Sequence, residues 1–280
     1  MKLASFTLNG ANKVGIVNGD TISMIDVSDM VTLIENWDKA VPTIGEVKRA
    51  AVDLLAPIPV PRRNIICVGK NYRDHAKEFS QSGFEAGAVK GKEIDEFPAV
   101  FTKMPSSVTC DGAVIDLPHQ VTSSVDYEAE LAVVIGKRGK NIAASDALDH
   151  VFGYTIINDL TARDRQKNHK QWFLGKTLDG FCPMGPWITT ADEVDVTNLD
   201  VQCRVNGEIR QNANTRDLIF DVKTLISTIS AGTTLLPGDI IATGTPAGVG
   251  IGFSPPKFLK AGDKVSVKIS GLGELSNSFA

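Results

Sequence analysis

The chain has 280 residues, 42% of them hydrophobic, 22% charged and 6% aromatic, with a formal net charge of −4. That is the composition of an ordinary globular protein, long enough for one large domain or two. A net negative chain offers no basic footprint for nucleic acid or an anionic membrane, and no apolar run approaches the roughly 20 residues that span a bilayer, so neither partner is expected.

Residues 2–25 alternate in short runs broken at Asn9-Gly10 and Asn18-Gly19, dipeptides that favour tight hairpins, and predict a small β meander. The first turn arrives before the apolar core of a signal peptide could form. Two helical patterns follow, over about 28–38 and 44–55. In the second, Thr43 is the expected cap and Ile44, Val47, Ala51, Leu54 and Leu55 share one side. Pro57, Pro59 and Pro61 exclude a helix or a central strand. Residues 57–63 therefore read as an extended linker between a small N-terminal α+β domain, 1–56, and a larger β-rich region, 64–280.

That region starts with a compact strand, Asn64–Gly69, and a helical pattern over 70–79. His75 and Glu78 are i and i+3 there, hence neighbours on one helix face. A carboxylate beside an imidazole raises its basicity and fixes its tautomer, the pairing a general base needs; the plain alternative is a surface histidine with an incidental glutamate. Residues 80–97 are polar and glycine-containing, a pattern that fits a mobile lid over such a base or a variable loop. Strands resume at 99–103 and 114–117.

The run Asp126–Gly136 contains Glu128 and Glu130, two apart in a strand-like sequence. Side chains i and i+2 share a face of a strand, and two carboxylates held side by side persist most easily when a cation neutralises them. Asp159 closes the β-rich run 151–157 and supplies a third carboxylate at a strand end. Three carboxylates with no cysteine or histidine beside them form a hard oxygen site suited to Mg²⁺, with Mn²⁺ or Ca²⁺ as alternatives, against the plainer reading of a solvent-facing acidic edge. Arg163 and Gln166 follow at i and i+3 in a helical segment. Lys176, set between apolar groups, is placed to stabilise an enolate or a substrate carboxylate, or else to lie on the surface with its stem over apolar neighbours.

From residue 198 β patterning dominates, with a turn at Asn206-Gly207, a helix over 221–230 and a strand over 240–243. The strand opens into a glycine-rich loop, 244–252, that fits neither G-x-G-x-x-G nor a P-loop, so nucleotide binding is not expected. Its backbone N–H groups and the Thr245 hydroxyl can still cradle a carboxylate. No G-x-S-x-G elbow occurs. Cys67, Cys110, Cys182 and Cys203 show no C-x-x-C spacing and read as free thiols of a reducing compartment, which suggests a cytoplasmic protein.

Four stretches in this order, Val68-Gly69-Lys70-Asn71-Tyr72-Arg73-Asp74-His75 with Glu78, Asp126-Tyr127-Glu128-Ala129-Glu130-Leu131, Asn158-Asp159-Leu160-Thr161-Ala162-Arg163-Asp164, and Pro237-Gly238-Asp239 leading to Thr243-Gly244-Thr245-Pro246, resemble the fumarylacetoacetate hydrolase family. The segment Gln171–Thr177 with Phe181-Cys182-Pro183 looks most like its FAHD2-like and acylpyruvate hydrolase branch. The resemblance implies an α+β, β-rich catalytic domain with a mixed β-roll core over 64–280, a homodimer, and Mg²⁺ or Mn²⁺ held by Glu128, Glu130 and Asp159. It places the catalytic dyad on His75 and Glu78, active-site lysines on Lys103 and Lys176, and substrate contacts on Arg163, Gln166 and Thr245. The activity it implies first is hydrolytic C–C cleavage of an acylpyruvate-like 2,4-diketo acid. Oxaloacetate tautomerisation or decarboxylation and hydroxymuconate-type isomerisation are the alternatives, and a catalytically silent binding protein of the same fold is the third.

Overall fold

The computed structural model describes residues 1–38, 41–84 and 95–280. The N-terminal meander consists of β1 (Lys2–Leu8), β2 (Ala11–Asn18) and β3 (Thr21–Ile25), followed by α1 (Met30–Glu35), β4 (Thr43–Lys48) and β5 (Asp53–Leu54). Next come β6 (Ile65–Gly69), α2 (Arg73–Gln81), β7 (Ala99–Lys103), β8 (Val108–Thr109), β9 (Val114–Ile115), β10 (Val125–Asp126), β11 (Ala129–Ile135), β12 (Val151–Asn158) and β13 (Thr161–Ala162). The chain continues through α3 (Arg163–Asn168), α4 (Phe173–Lys176), β14 (Cys182–Thr190), β15 (Asp200–Val205), β16 (Glu208–Asn214), α5 (Val222–Ser230), β17 (Ile240–Ala242), β18 (Lys264–Ile269) and β19 (Gly273–Phe279).

Among the described residues the main sheet has 12 strands, most of them in the order β4-β3-β2-β1-β14-β12-β11-β17-β6-β7. A second, five-stranded sheet runs β16-β15-β18-β19-β9. Strand β11 is the hinge of the packing, because all seven of its residues are buried. Its odd-numbered side chains Leu131, Val133 and Ile135 join Val201, Cys203, Val205, Val265, Val267 and Ile269 of the second sheet. Its even-numbered Ala132 and Val134 face the cluster of Leu3, Val14, Ile25, Leu33 and Ile65. A strand buried on both faces must read as a continuous apolar run, and the sequence from Leu131 to Ile135 does.

The meander is stitched into the main sheet by β1, which pairs antiparallel with β14 at Leu3 and Ile188. Two turns form as their sequences require: Asn9 and Gly10 have φ of 52° and 77°, and Asn206 and Gly207 have 52° and 83°. Such turns need positive φ at both central residues, which asparagine tolerates and glycine prefers. The first helix is shorter than expected and is capped by Asp29, whose Oδ1 accepts the Thr32 N–H at 2.8 Å.

The helix expected over 44–55 does not form. Thr43–Lys48 instead adds to the edge of β3, and Asp53–Leu54 pairs with β1. Val47, Val52 and Leu54 find cover beside Phe6, Ile22 and Trp187 as extended residues, while Ile44 stays 57% exposed. The open edge of β3 supplied backbone partners that a helix in this position would have left unpaired, and long-range pairing overrode a local pattern that fitted both periods. Residues 57–63 contain neither helix nor strand, yet they lie against the fold: Ile58 is buried and the Pro57 carbonyl accepts the Ser5 hydroxyl at 2.7 Å. The lid expected over 80–97 falls largely on 85–94, outside the described residues. No helix among the described residues is long and apolar enough to cross a membrane.

Candidate active site

The carboxylates come together where the main sheet's central strands end. Glu130 lies within β11, in the register of Ala132 and Val134, and Glu128 lies two residues earlier, just before the strand begins. Asp159 follows the last residue of β12; its N–H donates to the Glu128 carbonyl at 2.8 Å, and the Glu128 N–H donates to Asn158 Oδ1 at 3.0 Å. These bonds continue the β11–β12 pairing past its regular end and hold both carboxylates on one side. One oxygen from each of Glu128, Glu130 and Asp159 lies within 4.8 Å of the other two, and all three residues are buried.

Three cations answer them. Lys176, at the end of α4, donates to Glu128 Oε2 at 2.6 Å and to Asp159 Oδ2 at 2.7 Å. Lys103, the last residue of β7 and fully buried, donates to Asp159 Oδ1 at 2.6 Å and to the Leu160 carbonyl at 3.1 Å. Arg163, at the start of α3, donates from Nε to Asp126 Oδ2 at 2.9 Å and from Nη1 to Gln166 Oε1 at 3.1 Å. Its Nη2 comes to 2.6 Å from Glu128 Oε1 as an ion pair whose N–H is not aimed along the contact, so this buried nitrogen lacks an aligned acceptor.

Burial pushes the carboxyls of Glu128 and Glu130 up, and the neighbouring charges send the two in opposite directions. For Glu128 the Lys176 ammonium, the Arg163 guanidinium and His75 outweigh burial and hold the carboxyl at about 2. The same contacts work in reverse on Lys176: burial pulls it down, but Asp159 and Glu128 push it up to about 12. Glu130 is different. Burial, then Asp159 and Glu128, hold its carboxyl well above the usual range, and its hydrogen bond is to the Gly244 N–H at 2.9 Å.

Those features test the fit of a divalent ion. The donors are oxygen only, Glu128 and Asp159 already converge on one cationic centre at Lys176 Nζ, and Glu130 is a buried carboxylate with no ion-pair partner among the described residues. Counting Asp126, four buried carboxylates face three basic side chains. Glu128, Glu130 and Asp159 are thus a set of oxygen donors that could hold a hard divalent cation, which would neutralise Glu130.

Beside the triad, α2 presents His75 with Nδ1 3.1 Å from Glu78 Oε2. Glu78 is itself anchored, its Oε1 accepting the Gly248 N–H at 2.9 Å. With Nδ1 held by a carboxylate, Nε2 is the nitrogen left to exchange a proton. His75, Glu128, Glu130, Arg163, Gln166, Lys176 and Thr245 all line one cavity of about 20 Å³, room for about one water, and Lys103 stands behind it through Asp159. The aromatic wall is Trp172, whose ring lies 5.9 Å from Phe79 and 5.3 Å from Phe101 between centroids, both edge-on. Gly69 makes this approach feasible, because a Cβ there would overlap the indole.

Two residues to which the sequence reading gave no role organise the site. Asp126 is fully buried; its Oδ1 accepts the N–H groups of Gly250 at 2.6 Å and Tyr127 at 2.9 Å, while its Oδ2 accepts Arg163 Nε. It ties the glycine-rich loop to the guanidinium, and its period-2 spacing from Glu128 was the available signal. Gln211, on β16, donates to Thr245 Oγ1 and to the Pro246 carbonyl, both at 2.7 Å, and accepts the Ala129 N–H at 3.0 Å. No motif marks it.

Comparison with known proteins gives a consistent result. The family profile described as "Fumarylacetoacetate (FAA) hydrolase C-terminal" matches residues 64–280. "Oxaloacetate tautomerase YisK" of Bacillus subtilis (strain 168) is 56% identical over 229 residues, covering 81% of this chain and 73% of that protein. "Oxaloacetate tautomerase fahd2, mitochondrial" of Xenopus laevis is 47% identical over 232 residues, covering 82% and 69%. Among solved structures, the "Fumarylacetoacetate hydrolase (EaFAH) from psychrophilic Exiguobacterium antarcticum" is similar with a TM-score of 0.88 and 42% identity, covering 100% of this chain and 99% of that one.

Proposed function

The chain belongs to the fumarylacetoacetate hydrolase family, and on that premise we propose that it is a metal-dependent enzyme interconverting the keto and enol forms of a dicarboxylic 2-keto acid of the oxaloacetate type. The observation that carries the reading is the convergence of His75, held by Glu78, and of Glu128 and Glu130 on one cavity, with Asp159 completing the carboxylate triad behind them. Tautomerisation needs a base, an electrophile and little else. Two relatives at 56% and 47% identity that bear the name oxaloacetate tautomerase support the same choice.

A bound Mg²⁺ or Mn²⁺ supplies Lewis acidity to the keto acid end of the substrate. The chain's own residues do the rest. His75 Nε2 takes the proton from the carbon next to the ketone, and Glu78 balances the imidazolium that forms at a distance of 3.1 Å. Lys176 and Arg163, both engaged with Glu128, oppose the negative charge that develops on the enolate oxygen. Arg163 Nη2, paired with Glu128 Oε1 at 2.6 Å, fixes that carboxylate on the cavity wall. Gln211 orients the Thr245 hydroxyl on the same cavity wall, and the aromatic ring of Trp172 excludes bulk water. The proton on His75 then returns to oxygen, completing the exchange without a water molecule.

Hydrolytic cleavage of an acylpyruvate-like diketo acid is the second reading. The same His75–Glu78 pair can activate a water, the cavity has room for about one, and the similar structure from Exiguobacterium antarcticum bears the name of a hydrolase. Decay of enol absorbance from oxaloacetate under Mn²⁺, with product analysis by mass spectrometry, separates the two. Accelerated loss of enol with no new carbon fragment supports tautomerisation. Release of pyruvate or another 2-keto acid from acylpyruvates, with no effect on oxaloacetate enol, overturns it. We further propose that the protein acts as a homodimer, which sedimentation of the purified chain tests directly.

A further inference from the structure

Four basic side chains line the cavity: Lys70, His75, Arg163 and Lys176. Three of them are engaged with the site itself, His75 with Glu78, Arg163 with Asp126 and Glu128, and Lys176 with Glu128 and Asp159. Lys70 is not. Its side chain, 11% exposed, pairs with Asp95, a carboxylate outside the triad that belongs to the loop leading into β7.

The backbone goes to some trouble to place this lysine. Lys70 has φ of +53°, in the left-handed region that a side chain with a Cβ adopts at a cost. The turn is held there by Asn71, fully buried, whose Nδ2 donates to the carbonyls of Phe220 at 3.0 Å and Thr243 at 2.8 Å, and whose Oδ1 accepts the Phe220 N–H at 2.8 Å. A strained residue that its surroundings over-determine, on the wall of a reactive cavity, points to function. A lysine serving solubility alone would need neither the strain nor the burial.

We propose that Lys70 binds the second carboxylate of a dicarboxylic 2-keto acid, and that Asp95 fills the place of that carboxylate when no substrate is bound. The inference rests on reading the cavity as a site for 2-keto acids. The keto acid end belongs with the triad and its ion, whose neighbouring cations are already committed to carboxylates. A monoacid leaves Lys70 on Asp95 and gains nothing from it. A diacid exchanges one carboxylate for another at the same ammonium, so it alone collects a charge-assisted hydrogen bond in a partly desolvated place.

Calorimetric titration of the Mn²⁺-loaded protein with freshly dissolved oxaloacetate and with 2-oxobutyrate, which lacks the second carboxylate, tests the assignment, with pyruvate assayed at the end to correct for decarboxylation. Lys70→Met is expected to weaken oxaloacetate by about 10- to 100-fold, the worth of one charge-assisted hydrogen bond, and to leave 2-oxobutyrate within about twofold. Lys70→Arg restores most of the loss. In turnover the loss falls on KM, not on kcat. Asp95→Asn, which removes the competitor and leaves the cavity wall intact, tightens oxaloacetate by a few fold. Equal weakening of both ligands by Lys70→Met, no change in either, or weaker oxaloacetate binding in Asp95→Asn overturns the proposal. If the wild type leaves enol absorbance unchanged but still prefers the diacid through Lys70, the activity reading fails and the assignment of Lys70 stands.

Discussion

Replacing Glu130 by glutamine removes one charge from the triad and nearly keeps its shape, and the structure fixes the sign of the effect in two opposite conditions. Without metal, burial, Asp159 and Glu128 hold the Glu130 carboxyl well above its usual 4.5. Above pH 4.5 the folded chain must therefore either retain a proton that the unfolded chain has released or carry a poorly neutralised buried charge. That burden is absent below the unfolded value and grows by about 1.4 kcal/mol per pH unit until the folded carboxyl ionises, so at pH 7 it is at most about 3.4 kcal/mol. Glutamine escapes it, at the loss of part of the bond to the Gly244 N–H. A net gain of about 2 kcal/mol is expected, or roughly 4 °C in Tm for a chain of this length. With Mn²⁺ at 100 times its Kd the order reverses, because the wild type gains about 2.7 kcal/mol from the ion and the variant, short of one ligand, gains little. Thermal melts in chelator and in Mn²⁺, at pH 4.5 and pH 7, read all of this. The variant should melt higher than the wild type in chelator at pH 7, should lose that lead at pH 4.5, and should melt lower in Mn²⁺. A variant less stable in chelator at pH 7, or one with a full metal-induced rise, would refute the account of Glu130 as the unneutralised ligand.

Lys176→Met leaves Glu128 and Asp159 facing each other without their shared ammonium; the metal-free protein should lose about 3–5 kcal/mol, and Mn²⁺ should restore much of it in the same melts. His75→Gln should lower kcat by about 10²- to 10⁴-fold while Mn²⁺ affinity, measured by electron paramagnetic resonance titration, stays within about twofold. A variant starting at Pro57 removes β1, the partner of β14, together with Leu3, Val14, Ile25 and Leu33 of a shared core; it should be poorly soluble, with any folded fraction still binding Mn²⁺. A truncated protein that is soluble and stable yet inactive would mean that the N-terminal segment shapes the pocket rather than capping it.

What could be read from the sequence was whatever local periodicity controls. His75 and Glu78 meet because one helical turn separates them, and Glu128 and Glu130 share a side because β11 repeats every two residues, although Glu128 precedes the strand. The β-rich architecture followed from the same alternation. Asp126 stood in plain view two residues before Glu128, but apart from Tyr127 its partners are Arg163, Gly250 and Ile251, more than thirty positions away, and no local pattern announces them. Gln211 is hidden for the same reason. The place of Lys103 came from the family resemblance alone, whereas Lys176 was also marked by its setting between apolar groups. The error over 44–55 has a related cause: Val47 and Leu54 fit a helical stripe and an alternating strand alike, and the choice was made by the vacant edge of β3, which lies elsewhere in the chain.

The cavity has a floor and a ceiling built on different principles. The floor is sheet: β6, β11 and the end of β12, cross-linked by backbone hydrogen bonds and by buried ion pairs, so moving any ligand by an ångström disturbs many bonds at once. The ceiling is side chain only, with Trp172 resting over Gly69 and edge-on to Phe79 and Phe101. A tilt of the indole breaks no ladder bond and leaves the triad in place. The size of the chamber can therefore drift during evolution while the carboxylates stay fixed: a smaller ring at 172 enlarges it from above. The three carboxylates beneath need never learn of the change.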